Sequence, residues 1–323
     1  MATAQAAALR AALTAWEPDG ARPTSSTPGL EAYLAHYGLS DVLAASGAAF
    51  RAGYLSMAGE RIAVQRYVPL EPRAVLVLVH GLFDHAALWR HQIRWALEQQ
   101  LAVCAFDLPG HGLSSGARAH VEDFAHYVDA LRAVLEAVAA PLGLPIFAAG
   151  QSTGGAVLME YLAGGHAARA VPLADVALLA PLVRPRAWGF GRVLLPLARP
   201  LLRSLPRAFY GNTRDPDFNR FQRDQDYLQP TALPVSWLGA MDRWLHGFSL
   251  HDRHGASPLV VQGTADRTVD WRHNLGVIRA KFEAPEILLL EGAEHNLMNE
   301  IESARTALEV ALARRIDARL GGR

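Results

Sequence analysis

Short apolar runs recur along the chain and alternate with longer stretches in which apolar and polar residues follow a helical period. The first run, at residues 74–79, reads AVLVLV. A continuous run of this kind is typical of a strand that is buried on both faces of a parallel sheet. Similar runs predict further strands at 101–106, 145–149, 176–179, 259–262 and 287–290.

Helix-like stretches separate these runs, at residues 87–99, 121–139, 154–163 and 271–282. Residues 53–69, ahead of the first run, show the alternation of a β-hairpin. Strands that alternate with helices predict an α/β fold, in which a mostly parallel central sheet is flanked by helices. Such a fold carries its chemistry at the carboxyl ends of the strands.

Residues 181–250 break the alternation, because no run in this interval is typical of a buried strand. We therefore predict a partly helical lead-in at 1–52, a core at 53–180 and 251–323, and an inserted helical cap, or lid, at 181–250. The cap interval holds ten Arg and five Asp but no Lys or Glu, which gives it a formal charge of +5. This pattern fits a lid in transient contact with a membrane surface or an anionic group, but charge alone favours an arginine-rich solvated surface.

The overall composition narrows the class of protein further. Lys and Arg together number 31, as do Asp and Glu, so there is no global field to gather nucleic acid, and we expect a small-molecule substrate instead. Cys104 is the single cysteine, which excludes an internal disulfide. Residues 1–16 lack the features of a secretory signal, so we expect a cytoplasmic protein, with peripheral membrane attachment left open.

The sequence GQSTG at 150–154 follows a predicted strand and precedes a predicted helix. A serine at the tip of such a sharp turn has a strained backbone, and small residues must surround it. Gly150 and Gly154 meet that requirement. We therefore predict Ser152 as a nucleophile, although a five-residue pattern alone also fits an ordinary glycine-rich turn.

A serine hydroxyl needs a histidine to take its proton and a carboxylate to orient that histidine. The loop after the strand at 259–262 supplies Asp266, and the loop after the strand at 287–290 supplies His295. The order Ser152, Asp266, His295 is that of α/β-hydrolases. These three residues form the predicted catalytic triad.

Other acids compete with Asp266 for the role beside the histidine. Asp270 follows in the same loop, but it falls where a helix begins, and a carboxylate there has an ordinary capping role. Glu291 and Glu294 belong to the histidine's own loop, so we expect them to face solvent or to support it.

The segment HGLFDH at 80–85 follows the first predicted strand, where we expect the second half of an oxyanion hole. The expected donors are the backbone N–H groups of Leu82 and Thr153, with Phe83 as the alternative to Leu82. We expect His80 and Gly81 to support this loop.

A metal site is the competing interpretation of the polar loops. It would recruit Asp107, His111 and either His80 or His85. No spacing places two of these ligands on one helix face, and no cysteine is available. We therefore predict no metal and a structural role for the loop that begins at Asp107.

Together these segments resemble the serine-hydrolase branch of the α/β-hydrolase superfamily that includes monoacylglycerol lipases and bacterial lysophospholipases. The resemblance runs from about residue 53 to the end of the sequence. The motifs that carry it are HGLFDH at 80–85, DLPGHGLS at 107–114, GQSTGG at 150–155, APLV at 180–183, VVQGTADRTVD at 260–270 and EGAEHNLMNE at 291–300.

The resemblance implies an α/β-hydrolase fold with a cap inserted after residues 180–181, and an acyl-enzyme mechanism that uses no cofactor. It also implies a lipid-like ester as substrate, either a monoacylglycerol or a lysophospholipid. The sequence departs from the family at Gln151, where these lipases usually carry histidine, and at 82–83, where they often carry a smaller loop containing glycine. The departures bear on the substrate and leave the triad intact.

The cap contains enough apolar surface to line an acyl pocket. The candidate lining residues are Trp188, Leu194, Leu195, Trp237 and Trp244. For each of them, packing of the cap against the core is the alternative role.

Three other functions compete with a lipid esterase. A general short-chain carboxylesterase would use the same residues. An aminopeptidase or amidase would need an added acidic site, for which the candidates are Asp215, Asp217, Asp224 and Asp226. A non-catalytic binding protein would keep the fold without the chemistry, which the complete triad disfavours.

Overall fold

A computed structural model describes residues 2–17, 29–164, 171–198, 202–207, 209 and 211–321. Its strands in chain order are β1 Ala49–Met57, β2 Glu60–Val68, β3 Ala74–Val79, β4 Leu101–Phe106, β5 Ile146–Gln151, β6 Asp175–Leu179, β7 Ser204–Pro206, β8 Ala232–Pro234, β9 Leu259–Gly263 and β10 Glu286–Leu290. All strands except β7 and β8 form one eight-stranded sheet.

The strand order in this sheet is β1-β2-β4-β3-β5-β6-β9-β10. β1 and β2 form an antiparallel hairpin, and β2 pairs antiparallel with β4. Every pairing from β4 onward is parallel. The predicted mostly parallel sheet is therefore confirmed, and the loops after its parallel strands meet at one edge.

The central strands are buried on both faces. In β3, Leu76 and Leu78 belong to one hydrophobic cluster, while Val75, Val77 and Val79 belong to another on the opposite face. Since successive side chains of a strand point to opposite faces, a run without polar residues fits only a sheet that is covered on both sides.

The single cysteine lies inside this core. Cys104 in β4 is fully buried, and burial raises the pKa of its thiol to about 12. Its side chain therefore acts as a small apolar group.

Helices cover the sheet and build the segments around it. They are α1 Ala2–Ala12, α2 Leu30–His36, α3 Leu39–Ser46, α4 Arg90–Glu98, α5 Ala125–Val134, α6 Thr153–Ala163, α7 Trp188–Ala198, α8 Pro216–Asp224, α9 Val235–Leu250, α10 Trp271–Lys281 and α11 Glu302–Arg319. Among the described residues, none of these helices is both long and apolar enough to cross a bilayer.

Two predicted helices differ in detail from the observed ones. The stretch at 87–99 begins with a 3₁₀ turn at Ala86–Trp89 before α4. The stretch at 121–139 becomes helical only at Ala125, and its last part, Leu135–Ala139, is π-helical. The hydrophobic period marks the buried face of a helix, whereas its ends depend on local hydrogen bonds.

The interval predicted as the cap lies between β6 and β9 and is not purely helical. It contains α7, α8 and α9, together with the antiparallel pair β7 and β8. The two strands have three residues each and carry partly exposed side chains. They therefore lack the apolar signal by which a buried strand is found in a sequence.

Candidate active site

Ser152 lies at the turn between β5 and α6 and has a strained backbone, with φ of 53° and ψ of −111°. Three backbone hydrogen bonds hold this conformation. Its N–H donates to the carbonyl of Leu179 at 2.8 Å, and its carbonyl accepts from the N–H groups of Leu182 at 3.0 Å and Ala156 at 3.1 Å. The strain is thus maintained by the neighbouring strand and helix.

The glycines on either side of Ser152 permit close packing of the turn. A Cβ atom at Gly154 would lie 2.0 Å from the carbonyl oxygen of Val79, and one at Gly150 would lie 2.5 Å from the carbonyl of Gly154. Both distances are shorter than any van der Waals contact. The turn therefore requires glycine at both positions, which is the reason for the GxSxG spacing.

Asp266 and His295 come together at the carboxyl ends of β9 and β10. His295 Nδ1 donates to Asp266 Oδ2 at 2.7 Å. Asp266 also accepts from Gln262 Nε2 at 3.0 Å and from the N–H groups of Thr268 and Val269 at 2.8 and 3.1 Å. Both side chains are nearly buried, with exposures of 6% and 7%.

The electrostatics of the pair follow from this geometry. Burial alone would raise the pKa of Asp266, but His295 and the other donors hold it below its ordinary value. Burial alone would lower the pKa of His295, but the Asp266 carboxylate outweighs that effect and raises it. The arrangement therefore stabilises an ion pair of carboxylate and imidazolium.

Asp270, the competing acid, lies elsewhere. Its side chain caps α10 by accepting from the N–H of His273, and it forms an ion pair with Arg184 at 2.6 Å. Asp266 rather than Asp270 is therefore the partner of His295.

Gln151, the residue before Ser152, links the serine turn to the loop of His295. Gln151 Nε2 donates to the carbonyl oxygen of His295 at 2.7 Å, and both residues are buried. Within the described residues no hydrogen bond links Ser152 Oγ to the His295 ring. Such bonds are often long before a substrate binds. The Gln151 contact, which the sequence did not predict, fixes the histidine loop against the serine turn.

The loop after β3 faces the start of α6. Within the described part of the chain, the backbone N–H groups of Leu82, Phe83 and Thr153 donate to no protein acceptor. Phe83 has a positive φ of 71°, which bends the loop at this point. The predicted oxyanion donors are thus available, and the alternative between Leu82 and Phe83 stays open.

His80 stabilises this loop through two hydrogen bonds. Its Nδ1 donates to the carbonyl of Gly81 at 2.7 Å, and its Nε2 accepts from the N–H of Leu108 at 2.9 Å. Burial lowers the pKa of His80 well below its ordinary value, so the ring is neutral and can both donate and accept.

Asp107 has a related structural role. Its carboxylate accepts from the N–H of Ala86 at 2.7 Å and from that of Leu113 at 2.6 Å. His111 Nδ1 lies 3.0 Å from the carbonyl of Pro109. These hydrogen bonds use the groups that a metal would need, and no group of three metal-binding side chains occurs among the described residues.

A polar patch lies beside the serine. A Cβ atom at Gly81 would lie 3.3 Å from both Asp84 Oδ2 and Ser152 Cβ, so the Asp84 carboxyl is close to Ser152. Burial raises the pKa of Asp84 to about 6, against the opposing effect of Arg207 and two histidines. Gln222 of α8 donates to Asp84 Oδ1 at 3.4 Å.

Arg207 brings a positive charge from the cap to the same place. Its guanidinium lies 4.3 Å from the ring centre of Phe83, and it donates to the Gln229 side chain. Burial lowers its pKa, which Asp84 and Asp226 partly offset. The cap therefore places charged and amide groups next to the predicted oxyanion loop.

The predicted acyl-lining residues divide into two groups. Trp237 and Trp244 lie in α9 and contact the ring of Phe124 at centroid distances of 5.7 and 5.2 Å. Trp244 Nε1 also donates to Glu160 at 3.0 Å, so both tryptophans join the cap to the core. The side chains of Leu194 and Leu195 lie outside the described residues.

Trp188 borders a cavity of about 330 Å³ between the cap and α10. Leu245, Phe248 and Val277 form apolar parts of the same wall. Charged side chains, among them Arg184 and Asp242, line the same cavity, and Ser152 does not. Trp188 also packs in the same hydrophobic cluster as Trp237 and Trp244, so its role as an acyl-lining residue stays a prediction.

The acids that an amine site would require are engaged elsewhere. Asp215 caps α8 by accepting from the N–H groups of Asp217 and Phe218. Asp224 pairs with Arg223 at 2.8 Å, and Asp226 pairs with His85 at 3.1 Å. Asp217 lies 3.2 Å from Arg220.

The sheet, the strained serine turn and the Asp266–His295 pair define an α/β-hydrolase. The chain matches the sequence model of the Hydrolase_4 family, described as serine aminopeptidase, S33, over residues 70–302. It belongs to this hydrolase family.

Individual relatives agree with this assignment. The chain is 28% identical over 264 residues to a monoacylglycerol lipase of Mycolicibacterium smegmatis, a match that covers 77% of this chain and 91% of that protein. It is 28% identical over 246 residues to human monoglyceride lipase, covering 71% and 78% of the two chains.

Among solved structures, a soluble variant of monoglyceride lipase from Saccharomyces cerevisiae superposes with a TM-score of 0.71. It is 16% identical, and the match covers 82% of this chain and 94% of that one. At this identity the likeness concerns the fold.

Proposed function

We propose that this protein is a serine carboxylic-ester hydrolase that acts on a lipid-like ester through an acyl-serine intermediate. The observation that carries the proposal is the buried Asp266–His295 pair, joined through Gln151 to a serine in a strained turn. Unpaired N–H groups face the same region. A general base, a nucleophile and an oxyanion site are the parts that acyl transfer needs.

In this mechanism His295 Nε2 accepts the proton of Ser152 as its Oγ attacks the ester carbonyl. Asp266 stabilises the imidazolium that forms. The N–H groups of Leu82 and Thr153 donate to the oxyanion, and losing one such donor typically costs on the order of 10² to 10³ in kcat. His295 then protonates the departing alcohol, and a water activated by the same ring releases the acid.

The lipid-like substrate is supported by the relatives and by the surroundings of the serine. The two relatives described above are a monoacylglycerol lipase and a monoglyceride lipase. The Asp84 carboxyl lies near Ser152, and Gln222 donates to its other oxygen. These contacts suit an ester whose alcohol part carries polar groups. Monoacylglycerols and lysophospholipids both meet this description, and transient membrane contact through the cap and a cytoplasmic location stay predictions.

An aminopeptidase or amidase is the second candidate, because the matched family is described as a serine aminopeptidase. A substrate ammonium would need an acid that is free to pair with it. Asp226, the most buried of the candidate acids, already pairs with His85. The geometry therefore supports the ester hydrolase better.

A fluorophosphonate probe tests the mechanism directly. We expect it to label Ser152 in the folded protein and to leave the Ser152→Ala variant unlabelled. Absence of labelling in the parent protein would support a non-catalytic binding protein and overturn the proposal.

A rate series over monoacylglycerols, lysophospholipids and p-nitrophenyl esters of increasing chain length tests the substrate class. We expect kcat/KM to rise with acyl length, because each added methylene buries apolar surface in the cap. A sharp preference for short chains would identify a general carboxylesterase.

A further inference from the structure

The end of α2 contributes a buried side chain that contacts the cap. Tyr37 follows α2, and its hydroxyl donates to Asp226 Oδ1 at 2.8 Å. Both residues are buried, although they are 189 positions apart in the chain. Tyr37 also lies ahead of residue 70, where the family match begins. The contact therefore joins a residue outside the matched segment to Asp226 inside it.

Asp226 is the centre of a fully satisfied buried carboxylate site. Besides Tyr37, it accepts from the N–H of Leu228 at 3.1 Å, and His85 Nε2 lies 3.1 Å from both of its oxygens. Burial alone would raise the pKa of Asp226, but these partners hold it below its ordinary value. Burial and the nearby carboxylate raise the pKa of Tyr37, so its hydroxyl keeps its proton and donates.

His85 connects this site to the predicted oxyanion loop. It ends the segment HGLFDH, and its neighbour Asp84 accepts a second hydrogen bond from the cap through Gln222. Gln222 in α8 and Asp226 just after it thus contact the loop at two adjacent positions. Any movement of this part of the cap must disturb the loop that carries the Leu82 and Phe83 N–H groups.

Aromatic contacts hold the same cap segment from the outer side. The Tyr37 ring lies 5.8 Å from the rings of both Phe221 and Tyr227. His36 Nε2 donates to the carbonyl of Gln225 at 3.1 Å. The cap segment at 221–228 is therefore enclosed between α2 on one side and the oxyanion loop on the other.

We propose that Tyr37 is a positioning residue, which keeps Asp226 of the cap against His85 and so fixes the oxyanion loop for attack by Ser152. Its effect on catalysis rests on the proposed ester hydrolase function. The hydroxyl touches neither the substrate nor the reacting atoms. It acts by restricting the cap segment, and the cost of losing it falls on kcat rather than on KM.

The Tyr37→Phe variant removes the hydroxyl and keeps the ring. We expect kcat for ester hydrolysis to fall about tenfold with KM nearly unchanged. Backbone amides of residues 221–228 and 80–85 should exchange with deuterium faster than in the parent. The matched control is Tyr33→Phe one turn earlier, in α2, which removes a buried hydroxyl that accepts from Gln65 Nε2 at 2.7 Å. It should change neither kcat nor exchange in these two segments.

Parental kcat and parental exchange in Tyr37→Phe would overturn the proposal. An equal loss of activity in Tyr33→Phe would also overturn it, since the effect would then be a general loss of stability. If Tyr37→Phe does not fold, His36→Ala replaces it, because it removes the hydrogen bond from His36 to the Gln225 carbonyl. Unchanged amide exchange at residues 221–228 in that variant would contradict the proposal that the segment around Tyr37 holds this part of the cap. A parent protein that hydrolyses no ester would refute the proposed function, while amide exchange would still decide the role of Tyr37.

Discussion

The protein contains two buried pairs of histidine and aspartate, and they differ in which ring nitrogen is engaged. His295 uses Nδ1 to bind Asp266, which leaves its Nε2 without a protein hydrogen bond among the described residues. His85 uses Nε2 to bind Asp226, and its Nδ1 is buried with no hydrogen-bond partner in the described part of the chain.

The two pairs share their chemistry but not their surroundings. Asp226 lies in the cap and Asp266 in the core, and His85 is fully buried whereas His295 is 7% exposed. A histidine becomes a base when its free nitrogen reaches the reacting group, and a brace when that nitrogen is enclosed. Position, rather than the pair itself, therefore distinguishes the proposed catalytic pair from the structural one.

Replacing each histidine by glutamine should give the largest difference between the two pairs. His295→Gln should lower kcat by about 10⁴ or more, because the proposed general base is lost. His85→Gln should lower kcat by at least the tenfold expected of Tyr37→Phe, which is still far less than His295→Gln, and reduce the free energy of unfolding by about 3 kcal/mol, since it breaks a buried pair. Steady-state kinetics and urea denaturation measure the two effects. Equal losses of kcat in both variants would contradict the distinction.

The pH dependence of activity sharpens the comparison. The pKa of His295 is raised above 6.5, and the ring must be neutral to act as a base. Activity should therefore fall about tenfold per pH unit below a midpoint that lies above 6.5. Asp226→Asn should leave this midpoint in place, because Asp226 is not the partner of His295. A shift of the midpoint in that variant would show that the two pairs are coupled.

Stability should depend on pH through the other pair. The folded pKa of His85 is raised and that of Asp226 is lowered. The contribution of His85 to the free energy of unfolding is complete below about pH 6.5 and is lost as the pH rises through its folded pKa. The contribution of Asp226 is complete above about pH 3.8 and is lost as the pH falls through its lowered folded pKa. The difference in unfolding free energy between the parent and Asp226→Asn should therefore be largest near pH 5 to 6. Urea denaturation at several pH values measures it.

The contact from Gln151 should have a smaller effect. Gln151→Met keeps the size of the side chain but cannot donate to the carbonyl of His295. We expect kcat to fall about five- to tenfold with little change in KM, because the histidine loop loses one anchor. A rise in KM with unchanged kcat would instead indicate that Gln151 contacts the substrate.

Asp270→Asn should have the smallest effect of all. Asp270 lies in the same loop as Asp266 but pairs with Arg184 at a partly exposed position. We expect less than a twofold change in kcat and a loss of about 1 kcal/mol or less in stability. A large loss of activity would reopen the choice between the two acids.

Much of the fold follows from local signals in the sequence. The run AVLVLV predicts β3 because only a sheet that is covered on both faces buries six consecutive apolar side chains. The glycines around Ser152 predict the strained turn, since a Cβ atom there would meet backbone. These signals need no knowledge of distant contacts.

The parts that escaped prediction depend on distant contacts. Gln151 and the carbonyl of His295 are 144 positions apart, and Asp226 and His85 are 141 apart. Asp226 looks like any other acid of the cap until the fold places it against His85. The strands β7 and β8 are short and partly exposed, so no apolar run marks them.

The buried thiol of Cys104 has a practical consequence for spectroscopy. A thiol with a pKa of about 12 inside a central strand has almost no thiolate at neutral pH and no contact with solvent. Maleimide reagents should therefore leave the native chain unmodified. A cysteine introduced at an exposed cap position such as Leu250, which is 72% exposed, would be the only site to take a fluorophore. Cap movement can then be followed by fluorescence without first removing the native cysteine.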